Sequence, residues 1–472
     1  MFPEDAPGLH AMGTTPPIPH PMTEIWNRFL RFGKFFDARF EDLNRETWKS
    51  VVYRDFSAGL IVALTAIPMA MGFAIASGLR PEQGIIAGAL ACIVGRTFGG
   101  SKYQVYGPTA AFIPVIAGLM AKYGEAGGGT FAQGHGFLVL ASIIAGVILM
   151  IMGLMGMGKY AKLVPDSIIV GFTVGIAVVI AMSNFGEAVG VQLPLKGGLF
   201  EKIKSLASQA GSFNYFALFI ALGTLVVTRV MLRISIFIPA PLIAMGLGTA
   251  LGVYLFKDNG VLLIKDRYPA GIPTDFFLFT PPYFPGWTAS VLWDLAYFAF
   301  AIVFVSAVES VLCSTMADRL ADNRKTKFDA EKELWGQGIV QVATPLVNGF
   351  PCTGALARTA TSIKAGAVTP LAGYFKGILK LVIVLFLASY LEFVPMACIA
   401  GILLWVATNM VKPKEIKEVW RKDKFHAGLM VYTAVMVPLT DFLTGVLSAL
   451  IIYAVLFRFF EKPASETRQE PA

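Results

Sequence analysis

Apolar runs, separated by short polar or glycine- and proline-bearing stretches, fill the chain from residue 56 to residue 460. They fall near 56–77, 82–99, 108–122, 136–157, 164–185, 213–232, 238–256, 290–314, 334–348, 354–366, 370–390, 395–411, 426–440 and 442–460. Most approach the roughly 20 residues that a spanning helix requires. Those at 108–122 and 354–366 are too short to cross a bilayer alone. The pattern predicts an all-α integral membrane protein of about fourteen transmembrane segments. These divide into two sets of seven, at 53–256 and 257–460, which would be inverted relative to one another. The short segments are then third in each half, the best sequence pointer to a transporter's binding site. The repeat is faint in letters: GPTAAF in one half faces TGALAR in the other.

Residues 1–52 precede the first span as a cytoplasmic N-terminal segment. Met1 to Pro21 is rich in Pro and Gly and has no apolar run. Residues 1–23 therefore read as a disordered tail, not a cleavable signal peptide. In 24–50, Trp26, Phe29, Leu30, Phe32 and Phe36 recur at near-helical spacing among Arg and Lys. This predicts an amphipathic helix, lying at the cytoplasmic interface or packed on the protein's own underside. Beyond Phe460 stands only EKPASETRQEPA, a short polar tail at 461–472, so no soluble C-terminal domain is expected in this chain.

Composition agrees with lipid as the solvent. Hydrophobic residues make up 56% and charged residues 15%, against roughly 25% charge in soluble domains. The mean hydropathy is +0.65. The net charge of +8 sits in short runs between spans, a topology signal and not a nucleic-acid stripe. One run is Arg28, Arg31, Lys34, Arg39, Arg45, Lys49 and Arg54; others cluster at Arg319–Lys332 and Lys412–Lys424. The loop around Leu391, Glu392 and Phe393 has no base. Both termini are expected to be cytoplasmic. Cys92, Cys313, Cys352 and Cys398 lie in apolar segments without a CxxC pair, so no disulfide framework, metal or cofactor is indicated. No Walker A loop, nucleophile elbow or HExxH appears, which argues against a pump or an enzyme.

Three stretches could carry chemistry. In SKYQVYGPTAAFIPVIAGL, Gly107 and Pro108 bar a continuous helix, and a half-helix should begin near Thr109 and Ala110. Its first N–H groups lack intrahelical partners and form a ready anion site. An ordinary kinked helix is the plain alternative. In GFPCTGALARTATSIKAGAVTP, Gly349, Pro351 and Gly354 break the backbone again, and Arg358 lies one turn on. A buried arginine in a span is costly, so it either serves an anion or pairs with a carboxylate such as Glu309. In FAIVFVSAVESVLCSTMADRL, Glu309 stands mid-span near Ser306, Ser310 and Cys313. It should be protonated, paired or bound to a cation, and is the candidate for coupling through H⁺ or Na⁺, against a plain helix-to-helix hydrogen bond. In the first span, Pro68 bends the helix and Phe73 faces either a pocket or lipid. Asp166, Asp294 and Asp441 lie near span ends, where water or headgroups explain them.

These stretches resemble the SulP anion transporters. IPMAMGFAIASGL, GSKYQVYGPTAAF, VPDSIIVGFTVGIAVVIAM, ESVLCSTMADRLADNRKTKFDAEKELWGQG and NGFPCTGALARTATSIKAGAVTPLAG carry the match, from about Tyr53 to Phe460. The resemblance implies seven plus seven inverted helices in a core and a gate domain, homodimers, and elevator-like alternating access, in a bacterial inner membrane. It implies substrate between half-helices three and ten: Pro108, Thr109 and Ala110 on one side, Gly354, Ala355, Leu356, Ala357 and Arg358 on the other, with Phe73 nearby. Glu309 matches an acidic position that helps hold Na⁺ in the bicarbonate branch, so a Na⁺ site near Glu309 and Gly354 is one possibility. Three departures stand out. The usual C-terminal STAS domain is missing from this sequence, Met69 stands where some members carry a carboxylate or glutamine, and Cys313 and Leu356 stand where threonine is expected.

The expected function is secondary active transport of small anions of the sulfate, bicarbonate or dicarboxylate class, with H⁺ or Na⁺ coupling through Glu309. The rivals are a nucleobase–proton symporter of the same fold and a passive anion channel. A nucleobase symporter would need an acid on the second half-helix, and Ala355, Leu356 and Ala357 offer none.

Overall fold

The computed structural model describes residues 21–191, 199–269, 271–273 and 277–460. The tail expected at 1–23 lies outside them as far as residue 20, and 461–472 lies outside them entirely. The order is α1 (Pro21–Phe32), α2 (Trp48–Ala76), α3 (Pro81–Phe98), β1 (Tyr106–Gly107), a 3-10 turn Ala110–Phe112 running into α4 (Ile113–Tyr123), α5 (Phe131–Leu154) and α6 (Asp166–Ala188). Then come α7 (Leu199–Ser208), α8 (Tyr215–Ile234), α9 (Ala240–Ala250) with a π-helical turn Leu251–Leu255, α10 (Ile264–Arg267), α11 (Ala289–Leu320), α12 (Ala330–Leu346) and β2 (Thr353–Gly354). The chain closes with α13 (Leu356–Lys364), α14 (Leu371–Leu391), α15 (Met396–Met410), α16 (Pro413–Lys422), α17 (Lys424–Leu439) and α18 (Phe442–Phe460).

Every apolar run of the sequence lies on one of these helices. Among the described residues, seven helical stretches are long and apolar enough to span a membrane, and four shorter apolar helices accompany them. The molecule is a multi-span membrane protein. Helix ends follow local chemistry. A capping box between Thr130 and Gln133 opens α5, and Asp329 and Asp423 accept from the first N–H groups of α12 and α17. Helix α2 begins at Trp48, well before the apolar run, because hydropathy marks the lipid-embedded part and not the helix.

The N-terminal segment differs from expectation in two ways. Residues 21–23 belong to α1, which Pro21 opens, as proline suits a first turn. The amphipathic helix stops at Phe32 instead of running on towards residue 50. Gly33 follows, and Asp37 then caps a separate 3-10 turn, Ala38–Phe40. Of the two placements open for this helix, packing on the protein is the observed one. Phe32 is fully buried with its ring 5.9 Å from that of Trp335, and Arg31 pairs with Asp329 at 2.9 Å. Trp26 and Leu30 remain exposed on its other face.

The helices pack in exchanged pairs. Helix α5 lies on α11 and α12, as α14 lies on α2 and α3. Helix α6 packs on α15 and α17, as α15 packs on α6 and α8. Glycines allow the closest crossings: a Cβ at Gly146 would stand 2.6 Å from the Gly338 carbonyl, and one at Gly338 2.5 Å from that of Gly146. Where the halves meet, β1 and β2 pair antiparallel, with Tyr106 opposite Gly354 and Gly107 opposite Thr353.

Candidate functional site

The site begins with a buried carboxylate that sequence reasoning missed. Glu333, near the start of α12, is fully buried. Its Oε2 accepts from the amides of Gly100 and Ser101 at 2.9 and 3.1 Å. Its Oε1 accepts from Gln104 Nε2 at 2.7 Å and from the Ser310 hydroxyl, and the Tyr106 hydroxyl donates at 2.8 Å. A carboxylate so supplied fixes the strap from residue 99 to β1 against α11 and α12. Gln104 in turn accepts from Ser314 at 2.6 Å and lies flat against Gly354, where any Cβ would collide with its amide. Residue 354 must therefore be glycine for the two strands to meet.

Beyond the strap, Gly107 has φ +154 and Pro108 follows, so no helix can form through them. Thr109 is extended, the 3-10 turn starts at Ala110, and the α-helix proper starts only at Ile113. On the other side Ala355 is extended and α13 starts at Leu356. The first half-helix, expected near Thr109, opens as a 3-10 turn at Ala110 and becomes α-helical only at Ile113, and the second, expected near Gly354, begins at Leu356. Neither carries a side-chain cap. Ala355 has no polar atom to offer, and the Thr109 hydroxyl is turned toward α11, where it donates to Glu309 Oε2 at 2.8 Å. Both half-helices therefore present N–H groups without side-chain acceptors, the arrangement that attracts an anion.

Arg358 joins the two sides. Its guanidinium is buried, 5% exposed, and donates through Nη2 to the Pro108 carbonyl. Nη1 is buried with no hydrogen-bond partner. It stands 2.8 Å from where a Cβ on Gly107 would sit, so Gly107 makes room for it. Glu309 bonds to Thr109, so the alternative of an Arg358–Glu309 structural pair does not describe this structure. Glu309 also lines a narrow apolar cavity between α6, α11 and α18, with Phe172, Phe304 and Val446.

The remaining expected residues fall as follows. Cys313 is buried one turn beyond Glu309, with its sulfur 3.4 Å from Thr359 Oγ1. That hydroxyl also accepts from the Val105 amide at 2.9 Å. Ala110 and Ala355 are buried, Leu356 is half-buried and Ala357 is exposed. Phe73 is buried in the same apolar core as Ala110 and Phe112. Two lysines that the sequence reading passed over, Lys376 and Lys380 in α14, are fully buried beside this site. Their signal was available: two bases one turn apart inside an apolar run of spanning length.

Comparisons with known proteins place the chain in a family and a fold. The Sulfate permease family pattern matches residues 52–433. The putative sulfate transporter YvdB of Bacillus subtilis is 36% identical over 423 residues, covering 89% of this chain and 76% of that protein. The bicarbonate transporter BicA of a Picosynechococcus strain is 27% identical over 394 residues, covering 83% of this chain and 68% of that protein. The solved transmembrane domain of a cyanobacterial BicA superposes with a TM-score of 0.74 at 25% identity, over 84% of this chain and 97% of that one. SLC26A9, at 17% identity and a TM-score of 0.78 over 93% of this chain and 70% of that one, shares the fold. The chain belongs to the Sulfate permease family.

Proposed function

We propose that the protein is a secondary active transporter of small anions, of the sulfate, bicarbonate or dicarboxylate class. The anion binds between the N-termini of the half-helices at Thr109–Ala110 and Ala355–Leu356, with Arg358 adding charge. The observation that carries this reading is the unpartnered, buried Nη1 of Arg358, held at the crossing of two uncapped half-helices. A buried donor of this kind is left unsatisfied at a cost that a bound anion removes. The names borne by the relatives, sulfate and bicarbonate transporters, favour the same substrate class.

Glu309 is the coupling group. It lies mid-span, next to the half-helix mouth, where a proton or Na⁺ would change the charge felt by the substrate. Cys313 and Leu356 offer no oxygen, so H⁺ is the better-supported partner. The exchanged helix packing supports two inverted repeats at 53–256 and 257–460; elevator-like alternating access in a homodimer is part of the same proposal. Both termini would face the cytoplasm of a bacterial cell.

The test is uptake into proteoliposomes of the purified chain, with sulfate, bicarbonate, succinate and uracil as substrates under imposed H⁺ or Na⁺ gradients. Saturable anion uptake driven by one gradient supports the proposal. Uracil uptake without anion uptake would replace it with a nucleobase symporter, and non-saturating flux that follows voltage would replace it with a channel.

A further inference from the structure

Helix α14 carries Lys376 and Lys380 one turn apart on one face, 1% and 0% exposed, inside an apolar span. Lys376 Nζ donates to the carbonyls of Tyr106 and Gly88 at 2.7 and 2.9 Å. Lys380 Nζ donates to the Gly84 carbonyl at 3.3 Å. It crowds Gly88 so closely that a methyl group there would collide with it, and would also lie 3.1 Å from Pro108 Cδ. Arg358 reaches the Pro108 carbonyl from the other side. Three basic side chains therefore converge on the segment Tyr106–Pro108, immediately behind the first half-helix.

What they lack is negative charge. Their hydrogen-bond acceptors are backbone carbonyls, with the Cys92 thiol as a further partner of Lys376. Among the described residues no ion pair joins either lysine to a carboxylate, and Glu309 and Glu333 are engaged elsewhere, Glu309 with Thr109 and Glu333 with Ser310, Gln104 and Tyr106. Carbonyl dipoles satisfy ammonium hydrogens but do not cancel their charge, and like charges in a low-dielectric interior repel. A structural clamp on the strap would need one lysine at most, and the second adds repulsion without a new strand contact. Negative charge arriving at the half-helix mouth offsets this repulsion.

We propose that Lys376 and Lys380 are specificity-determining residues that make the anion site prefer doubly charged anions over singly charged ones of the same shape. The inference rests on the anion-transporter reading. The lysines act through their field, and through the Tyr106 carbonyl, without touching the anion. Each adds the same attraction per unit of ligand charge, so a dianion gains twice what a monoanion gains. At an effective dielectric constant of about 20 and a separation of about 10 Å, each lysine shifts the dianion preference by about tenfold.

Sulfate and perchlorate are both tetrahedral and differ in charge, so their dissociation constants are measured by titration calorimetry on the purified full chain. Wild-type protein should bind sulfate at least tenfold more tightly. Lys380→Met and Lys376→Met should each cut the sulfate-to-perchlorate preference by about tenfold, mostly by weakening sulfate, while Lys380→Arg keeps it. Equal affinities in the wild type would overturn the inference without any variant being needed. So would an unchanged preference in Lys380→Met protein with wild-type melting behaviour. Binding of neither anion would instead sink the anion-site reading, and this inference with it.

Discussion

The hydroxyl of Thr109 donates to Glu309 Oε2 at 2.8 Å, joining the mouth of the first half-helix to the middle of α11. The bond turns the Thr109 hydroxyl away from its own half-helix, whose first N–H groups keep no side-chain acceptor. It also puts the one carboxylate of α11's apolar centre within one side chain of the proposed anion position.

Replacing Glu309 with Gln keeps the bond's geometry and removes the charge. The variant should lose the dependence of uptake on the driving gradient, while equilibrium anion binding is retained or strengthened, because a negative charge beside the site has gone. Uptake under imposed H⁺ and Na⁺ gradients checks this. Uptake by Glu309→Gln that still follows the same gradient as wild type would remove Glu309 from the coupling role.

Gly354 is pinned between β1 and the Gln104 amide. Gly354→Ala should force Gln104 out of its bonds to Ser310, Ser314 and Glu333 and destabilise the fold by about 1–3 kcal/mol. Transport should fall further than stability does, because the strand register sets the gap between the half-helices. A tryptophan-fluorescence melt beside an uptake assay separates the two losses.

Glu333→Ala leaves several buried donors without an acceptor, among them the amides of Gly100 and Ser101 and the Tyr106 hydroxyl. At about 1–3 kcal/mol for each unsatisfied group, the loss should exceed about 3 kcal/mol in total. Glu333→Gln, which retains one oxygen acceptor, should lose clearly less. Equal melting temperatures for the two variants would mean that the carboxylate does not hold the strap.

Asp37 sits outside the spans, where it accepts from Arg39 at 2.8 Å and Lys332 at 2.7 Å. Burial pushes its carboxyl up, but the hydrogen bonds from Arg39 and Lys332 and the charge of Arg39 outweigh it, so it stays below the ordinary 3.8. A lowered value means that the unfolded chain binds the proton more readily. The stabilisation is then complete above pH 3.8 and is lost as pH falls through the folded value. Wild type should melt above Asp37→Asn at neutral pH, and the gap should close only below 3.8.

The spans were legible because lipid demands long apolar runs and leaves few other ways to build a helix. The two breaks were legible because Gly107, Pro108, Pro351 and Gly354 act on the backbone itself. Arg358 and Glu309 stood out as charges in apolar text, although sequence left open whether they pair. The structure gives Glu309 to Thr109 and Arg358 to Pro108. Glu333 was hidden because it follows Lys332 and Glu331 in what reads as a solvated helix start, and only the fold brings the 99–106 strap over it. The end of α1 at Phe32 was missed because Trp26 to Phe36 keeps helical spacing across Gly33, while the Asp37 cap decides the backbone.

The central claim is that Arg358 holds an anion between the half-helices, and equilibrium sulfate and bicarbonate binding to purified wild-type, Arg358→Lys and Arg358→Ala protein tests it most directly. Removing a hydrogen-bonded charge of this kind should weaken binding by about tenfold or more in Arg358→Ala, with Arg358→Lys intermediate and all three melting alike in the absence of anion. Unchanged affinity for both anions in well-folded Arg358→Ala protein would contradict it.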